Sequence, residues 1–438
     1  MISRQIWPIA VLCFTACAEL PPRSGLAPRA LLYALRTEAR QAGLPSEGLT
    51  PAQAVALALI HNPELRARRL ERSLAAGRVL SAELLKNPEL RLSLRSVIEG
   101  NPLSLGSALR LYPQDELAKQ AEIEVAEARS AQAEAELVAL ESEVAARALL
   151  EHAEALALEK KKRLYEASAD LHRRLIALEE ARLAERLATR LDLVLTRLRM
   201  DELDQRALSV EEERHRALSK LARELGLPGQ ELSVRPGETR GSSAALARDQ
   251  LGVPELEELA VDARADLRAL RHGWEARDAR VRQRLARAGA GLSFVEPGLA
   301  KLGDKPRLDL DAGIELPIFD DGTQGVRQAE LQRALALEAT MARLSGIRAE
   351  LCTAAADRAR AARRQAHFRA EVVPLLGEAE ALIEEGLRTH AVDPVLIATV
   401  SARLLDARSA AIEAELAERK ALISIASATG TILDALPE

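Results

Sequence analysis

The chain has 438 residues and a net charge of −5, and its hydrophobic and charged fractions are 48% and 29%. This balance excludes a disordered chain and a basic nucleic-acid-binding surface. Only 2% of the residues are aromatic, while Ala, Leu, Glu and Arg dominate long stretches. Such stretches are typical of long helices and coiled coils, so the composition predicts a mainly helical, elongated protein.

The first 16 residues (1–16) have the pattern of a signal peptide. Arg4 precedes an apolar run over residues 6–16 that is too short to span a bilayer. The run ends in small residues before Cys17 and resembles a bacterial lipobox, in which Cys17 is lipidated and begins the mature chain. Ala18 follows instead of the Asp that retains lipoproteins at the inner membrane, which favours the outer membrane. The alternative is an ordinary signal peptide with two incidental cysteines.

The second half of the sequence repeats the first. A helical pattern near residues 52–85, opened by Pro51, recurs near 254–288, and the Gly226 that closes the first half has a counterpart in Gly430, about 200 residues later. The predicted units after the signal peptide are an N-terminal arm, a first repeat, a Pro- and Gly-rich linker, a second repeat and a tail: 17–48, 49–226, 227–252, 253–430 and 431–438.

Each repeat has segments in which apolar and polar residues alternate, which predicts β-strands near residues 89–112 and 290–319. An apolar face opposite a charged face fits a transmembrane barrel with a wet lumen. We expect Leu292 and Phe294 to share the apolar face, and Pro297 to end a strand. The side chains predicted to face the lumen are Arg91, Arg95, Arg110, Asp309, Asp311 and Glu315.

Four strands cannot close a barrel, and lipid does not tolerate an open sheet edge. Either the strands form a small soluble sheet, or several copies each contribute four strands. Three copies would supply about 12 strands, an even number within the range of known barrels. The scarcity of rings favours the soluble sheet, since only Tyr112, Phe294 and Phe319 are available for an interfacial belt.

A long helical pattern follows the strands in each repeat and turns back on itself, near residues 186–192 in the first repeat and 387–393 in the second. Sixty helical residues would extend about 90 Å, which is longer than a globular domain. Two such hairpins per chain suit an assembly that curves into a tube. Pro374, within the outgoing helix of the second repeat, predicts a kink or break.

Several motifs together resemble those of one protein family. They are Asn62-Pro63-Glu64-Leu65-Arg66, Asn87-Pro88-Glu89-Leu90 and Gly313-Ile314-Glu315-Leu316-Pro317-Ile318-Phe319-Asp320, the last followed by Gln324-Gly325. In this order, behind a lipobox, they resemble the outer-membrane factors of TolC-type tripartite efflux systems, and they are closest to the heavy-metal (cobalt–zinc–cadmium) branch. The resemblance covers about residues 49–430.

The resemblance implies a mainly α fold with a small membrane β part. Duplicated helical hairpins would form a trimeric α-barrel, and four strands per chain would complete a β-barrel of about 12 strands. It also implies a passive export duct, lipid-anchored in the outer membrane of a Gram-negative bacterium and extending into the periplasm. The implied partners are two further copies, outer-membrane lipid, a periplasmic adaptor (membrane fusion) protein and an inner-membrane pump, with the resistance-nodulation-division type as first candidate. The alternative is a soluble periplasmic coiled-coil scaffold, a degenerate relative of the family.

The family has a motif at the periplasmic tips of its hairpins. In the second repeat Leu387 replaces the usual tyrosine and His390 the usual glycine, and Arg186 stands at a glycine position in the first. The predicted tip and gate residues are Thr189, Arg190, Leu191, Asp192, Arg388, Thr389, His390, Val392 and Asp393. Gathered around a threefold axis, their charges would form rings that select ions and hold a closed state. The alternative is that they are ordinary polar residues at a helix turn.

The sequence contains no catalytic or cofactor-binding pattern. Its seven histidines include no pair spaced three or four residues apart, which gives a metal site on one helix no support. Acidic residues stand beside arginines in the usual pattern of solvated helix faces. We therefore predict no enzyme activity, no metal, no cofactor and no nucleic-acid partner.

Lipidation at Cys17 can be tested by labelling. Cys17→Ser should abolish incorporation of radioactive palmitate, because the acceptor thiol is removed. Cys13→Ser is the matched control and should label like the parent, since Leu12 precedes Cys13 where a lipobox has a small residue. Labelling that persists without Cys17 would contradict the lipobox interpretation.

Overall fold

The computed structural model describes residues 37, 44–45, 47–95, 104–113, 115–237, 251–288, 291–302, 305–389 and 393–433. The predicted lipidation site Cys17 and the predicted tip residues His390 and Val392 lie outside these ranges. The side chains of Arg95 and Thr389 are likewise not described. The chain divides into two units, Met1–Gly43 and Leu44–Glu438, and all elements below belong to the second.

The described part of the chain is mainly helical and contains one four-stranded antiparallel sheet, which confirms the predicted fold class. The elements of the first repeat are α1 (Pro51–His61), α2 (Pro63–Glu83), β1 (Glu89–Arg95), β2 (Ser104–Arg110), α3 (Glu116–Ala184) and α4 (Arg190–Glu224). The elements of the second are α5 (Val253–Ala263), α6 (Ala265–Ala286), β3 (Gly291–Leu302), β4 (Lys305–Glu315), α7 (Thr323–His367), a π-helical turn (Phe368–Val372), α8 (Val373–Thr389) and α9 (Pro394–Ala428).

Helix α3 is the longest element, with 69 residues and a length of about 100 Å. It contains neither Gly nor Pro, and the side chain of its N-cap residue Asp115 accepts a hydrogen bond from the Leu117 amide. Its buried positions are mostly Ala and Leu, small enough for α2, α4, α6 and α9 to pack closely against it. Among the described residues, no helix combines the length and apolar character needed to cross a bilayer.

The short helix predicted at the start of each repeat is in fact two helices. In the first repeat, Pro63 disfavours helical backbone at the preceding residue, and Asn62 has an extended ψ of 122°. The Asn62 side chain then caps α2 by accepting hydrogen bonds from the amides of Glu64 and Leu65 at 2.9 and 3.3 Å. In the second repeat Arg264, also at ψ 122°, separates α5 from α6.

The residue at each break also contacts the end of the helix that returns from the tip. Asn62 Nδ2 donates to the Glu224 carbonyl at the end of α4 (3.0 Å), and Arg264 Nη1 donates to the Ala428 carbonyl at the end of α9 (2.7 Å). We call these two contacts the end-to-end junctions. The end of α4 therefore meets the start of α2, and the end of α9 meets the start of α6.

A glycine follows the returning helix at each junction. Gly226 and Gly430 have φ of +71° and +75°, a conformation that favours glycine. A Cβ at Gly226 would lie 2.3 Å from the His61 carbonyl oxygen, and one at Gly430 would lie 2.9 Å from Arg264 Cα. Both glycines are thus required by close approach as well as by conformation.

The sheet has the strand order β1-β2-β3-β4, so β2 and β3 join the two repeats. Among the described residues, β1 and β4 each have one edge without a strand partner. Strand β3 continues through Pro297, so the prediction that this proline ends a strand was wrong. The proline is tolerated because the β2–β3 ladder is interrupted there, between the Ala108–Gly298 pair and the Leu111–Val295 bridge.

The outgoing helix of the second hairpin changes its winding near Pro374, where the sequence predicts a kink or break. Five residues, Phe368–Val372, form a π-helical turn between α7 and α8, and only Val373 separates this turn from the proline. Proline lacks the N–H that would bond four residues back, and its ring clashes with that carbonyl. The wider turn relieves this conflict without ending the helical path.

Candidate functional site

The sheet has one polar and one apolar face. Glu89 pairs with Arg110 and Gly298 pairs with both Ala108 and Asp309, which fixes the faces of all four strands. This register places the backbone positions of all six residues predicted to face the lumen on one face: Arg91, Arg95, Arg110, Asp309, Asp311 and Glu315. The opposite face carries leucines and isoleucines that are open to solvent in the single chain, such as Leu308, which is 83% exposed.

The polar face is centred on Glu296, a residue that sequence reasoning missed. Its carboxylate lies 2.6 Å from Arg110 Nε and 3.5 Å from Arg91 Nη1, and the residue is only 5% exposed. The Arg110 guanidinium also lies over the Phe294 ring, 3.9 Å from its centre. One carboxylate thus holds two guanidiniums against the sheet.

The position of Phe294 differs from the prediction. Leu292 and Phe294 were expected on the same face, but the β3–β4 register shifts between them. Such a bulge turns the following residues to the other face of the sheet. Leu292 therefore lies on the apolar face and Phe294 on the polar face, where its ring covers Gly313. The apolar face loses one of the three rings considered for an interfacial belt.

The first hairpin tip forms through two caps. Arg186 has φ of +62°, and hydrogen bonds from Leu187 N to Arg182 O (2.8 Å) and from Arg186 N to Leu183 O (3.1 Å) close the last turn of α3. This is the helix-ending motif in which glycine is usual, so the arginine occupies a glycine-favoured conformation. Helix α4 then begins after Thr189.

Asp192 forms a capping box with Thr189. Its carboxylate accepts hydrogen bonds from the Thr189 amide (2.8 Å) and hydroxyl (2.7 Å), and its own amide donates to that hydroxyl (3.3 Å). The Thr189 hydroxyl and amide hold the Asp192 pKa below its ordinary value, because they stabilise the charged form. The neighbouring predicted residues Arg190 and Leu191 are exposed.

Asp393 at the second tip has a different role. It is the N-cap residue of α9, where its carboxylate accepts from the Val395 amide at 3.2 Å. Counted from the helix starts, its counterpart in the first repeat is Thr189 rather than Asp192. The cation that faces it is Arg182, whose Nη1 lies 3.7 Å from the carboxylate. Within the described residues Arg388 has no ion pair, so sequence reasoning missed the nearest cation.

Arg182 also faces a buried carboxyl, Glu179. The nearest Glu179 oxygen is 3.9 Å away, the residue is 1% exposed, and its other carboxyl oxygen has no hydrogen-bond partner among the described residues. Burial raises the pKa of Glu179 most; Arg182 opposes this shift, and Asp393 and Asp192 add to it. Three carboxyl groups thus surround one guanidinium at the tips. Within the described part of the chain, no three His, Cys, Asp or Glu side chains are placed to hold a metal ion.

No protein-family model matches the chain, and no curated protein does. Solved structures do match it. The outer membrane protein VceC from Vibrio cholerae is 18% identical with a TM-score of 0.67, over 87% of this chain and 96% of that one. The open-state MtrE outer membrane channel of Neisseria gonorrhoeae is 18% identical with a TM-score of 0.65, over 89% and 90%. A membrane protein from Pseudomonas aeruginosa is 18% identical with a TM-score of 0.70, over 87% and 92%.

The similarity spans nearly the full length of both chains in each comparison. At this level of identity it establishes the fold. The chain therefore has the fold of these outer membrane channels, with long helical hairpins and a small sheet, as the sequence predicts.

Glu179 gives a pH-dependent prediction. Because its pKa is raised in the folded protein, ionised Glu179 destabilises the fold above that pKa, and the cost fades as pH falls towards the ordinary value of 4.5. Glu179→Gln should therefore raise the free energy of unfolding at pH 7.5 and change it little below pH 4.5.

Thermal unfolding midpoints across this pH range measure the effect. Glu180→Gln is the matched control, because Glu180 is exposed and lies 2.7 Å from Arg197. It should leave the midpoint unchanged or slightly lower at neutral pH. A Glu179→Gln protein less stable than the parent at pH 7.5 would show that the ionised carboxyl is stabilised.

Proposed function

We propose that the protein is the outer-membrane channel subunit of a TolC-type tripartite efflux system, a passive trimeric duct that catalyses no reaction. The observation that carries the proposal is the sheet, which has one charged face, one exposed apolar face and, among the described residues, two edges without a strand partner. A sheet of this kind suits a lipid environment only when further strands close it into a barrel.

The helix layer ends at two helices with exposed leucines, and these helices are connected to the two edge strands of the sheet. Helices α2, α3, α6 and α7 pack in that order, so α2 and α7 lie at the two ends of the layer. Helix α2 leads into β1, and α7 follows β4. Leu70 and Leu74 of α2 are exposed, as are Leu331 and Leu335 of α7. Each copy would thus place its β4–α7 side against the β1–α2 side of the next, a head-to-tail contact that forms rings.

Charge on the polar face supports the same contact. By backbone position, the charged residues on the polar face sum to +1 on β1 and to −1 on β4. On β1 these residues are Glu89, Arg91 and Arg95, and on β4 they are Lys305, Arg307, Asp309, Asp311 and Glu315. Opposite charges on adjacent strands stabilise a pairing, and like charges oppose it. Three copies would supply about 12 strands around a polar lumen.

The remaining parts of the proposal rest on sequence motifs. The run Leu316 to Asp320 favours the heavy-metal branch, and the lipobox favours an anchor at Cys17. With the hairpins extending into the periplasm, their tips would meet an adaptor protein linked to an inner-membrane pump. The soluble periplasmic scaffold stays the second candidate, because the turn of Phe294 to the polar face leaves only Tyr112 and Phe319 for an interfacial belt.

Assembly gives the first test. The protein purified in mild detergent should cross-link as a trimer and should resist extraction from membranes by carbonate. Leu335→Arg should yield monomers, because Leu335 is 70% exposed in the single chain and lies on the proposed contact. Leu187→Arg, on a tip leucine that is 64% exposed, is the control and should stay trimeric. A parent protein that is only monomeric, or that carbonate releases, would favour the scaffold.

We also propose that the two tips form the gate of the duct. In a threefold ring Asp192 and Asp393 would set a negative potential at the narrow end, and exposed Arg388 would help to hold it closed. Neutralising both carboxylates by Asp192→Asn and Asp393→Asn should weaken cation preference in planar bilayers. Arg388→Ala should raise conductance. If the double aspartate variant and Arg388→Ala both match the parent in conductance and cation preference, the gate lies elsewhere.

A further inference from the structure

Helix α6 carries arginines on two opposite faces, and only one face is neutralised. On the first face, Arg282 lies 2.7 Å from Glu124 of α3 and 3.6 Å from Asp278. Arg333 of α7 lies 2.8 Å from the same Asp278. Two guanidiniums are thus matched by two carboxylates, which is the usual state of arginines on packed helices.

The opposite face of α6 carries Arg280, Arg284 and Arg287, spaced four and three residues apart and therefore aligned. Arg287 lies 2.7 Å from Glu122 near the start of α3. Because α3 runs antiparallel to α6, Arg129, two turns beyond Glu122, reaches the level of Arg280. We call Arg129, Arg280, Arg284 and Arg287 the arginine stripe.

The arginine stripe lacks the carboxylates that the other face has. Glu122 is the one acidic side chain paired with it among the described residues, against four guanidiniums. Arg280 Nη1 donates to the amide oxygen of Gln283 at 2.6 Å. Within the described residues, Arg129 and Arg284 form no ion pair.

Arg284 and Arg280 both lie in positions that repel positive charge. Arg284 lies against the first turn of α7, where a Cβ at Gly325 would be 3.7 Å from its Nη1. The positive end of the α7 dipole is there, and it disfavours a cation. Burial lowers the pKa of Arg280, and the charges of Arg284, Arg129 and Arg287 lower it further, with Glu122 opposing. An anion bound between these guanidiniums would stabilise the arrangement, because its negative charge would offset their mutual repulsion.

We propose that the arginine stripe binds an oxyanion of the phosphate class. Guanidinium groups match phosphate oxygens in pairs of parallel hydrogen bonds, and an array of them binds phosphate more tightly than a single cation does. The ligand would satisfy Arg284 and Arg129 and would remove the repulsion along α6.

The stripe lies at the end of α6 nearest the sheet, since Arg287 is four residues before β3. Two sources of phosphate reach this level if the sheet is in the membrane: a lipid headgroup, or a free oxyanion in the duct. Only the choice between these sources rests on the proposed function. The binding site itself rests on the charges of α3, α6 and α7, so it can fail or succeed independently of trimer formation.

The experiment uses the full-length protein in a neutral detergent. Thermal unfolding is followed with increasing inorganic phosphate, with chloride added to keep the ionic strength constant. Phosphate should raise the unfolding midpoint of the parent. Arg284→Gln should weaken the apparent phosphate affinity about tenfold, the loss expected for one charge-assisted hydrogen bond. Without phosphate its midpoint should equal or exceed that of the parent, because repulsion is relieved.

Arg282→Gln, on the neutralised face, is the control with the same change of charge and should keep the parent's phosphate response. In a second arm, each protein is reconstituted in phosphatidylcholine with and without phosphatidylglycerol, and the retained lipid is measured after extraction. Loss of phosphatidylglycerol retention in Arg284→Gln alone would support a lipid phosphate. Loss of the phosphate response in Arg284→Gln, with phosphatidylglycerol retained as in the parent, would support a free oxyanion. Equal behaviour of the two variants in both arms would overturn the proposal.

Discussion

The structure depends on the two end-to-end junctions, where a helix returning from the tip meets the start of a shorter one. A helix C-terminus leaves its last carbonyl groups without partners inside the helix. Asn62 and Arg264, the residues at the two breaks, each donate a hydrogen bond to such a carbonyl of the returning helix.

Ion pairs reinforce the junctions from the long helices. Arg147 of α3 lies 3.1 Å from Glu64 at the start of α2 and 3.0 Å from Glu224 at the end of α4. Arg343 of α7 lies 2.9 Å from Asp266 at the start of α6. Burial would raise the pKa of Asp266, but hydrogen bonds from Arg264 and Arg343 outweigh it and keep the pKa low. The two helices that meet at each junction, α4 with α2 and α9 with α6, thus run beside a long helix as one column. This column links the sheet to the tips.

Features that rest on periodicity could be predicted from the sequence, and features that rest on tertiary contact could not. Alternation identified the strands and the shared face of Arg91, Asp309 and Asp311. It missed Glu296, because a bulge inverts the alternation before it and Pro297 looked like a strand end. The break at Arg264 has no proline or side-chain cap to mark it, and the carbonyl that Arg264 contacts, that of Ala428, is 164 residues away in the sequence. Both tip sequences contain an aspartate, Asp192 and Asp393, but the N-cap position that Asp393 occupies belongs to Thr189 in the first repeat.

The π-helical turn at Phe368–Val372 changes which side of the second hairpin each side chain occupies. A π-helical turn holds more residues than an α-helical one, so the side chains of α8 are out of phase with the pattern of α7 by about one residue, or about 100°. Losing one residue within the turn would keep an unbroken helix yet rotate every side chain between Pro374 and the tip. The outgoing helix therefore has one arrangement of faces in α7 and another in α8, and the π-helical turn separates them. A change of chain length within this turn would alter which side chains of α8 face α9.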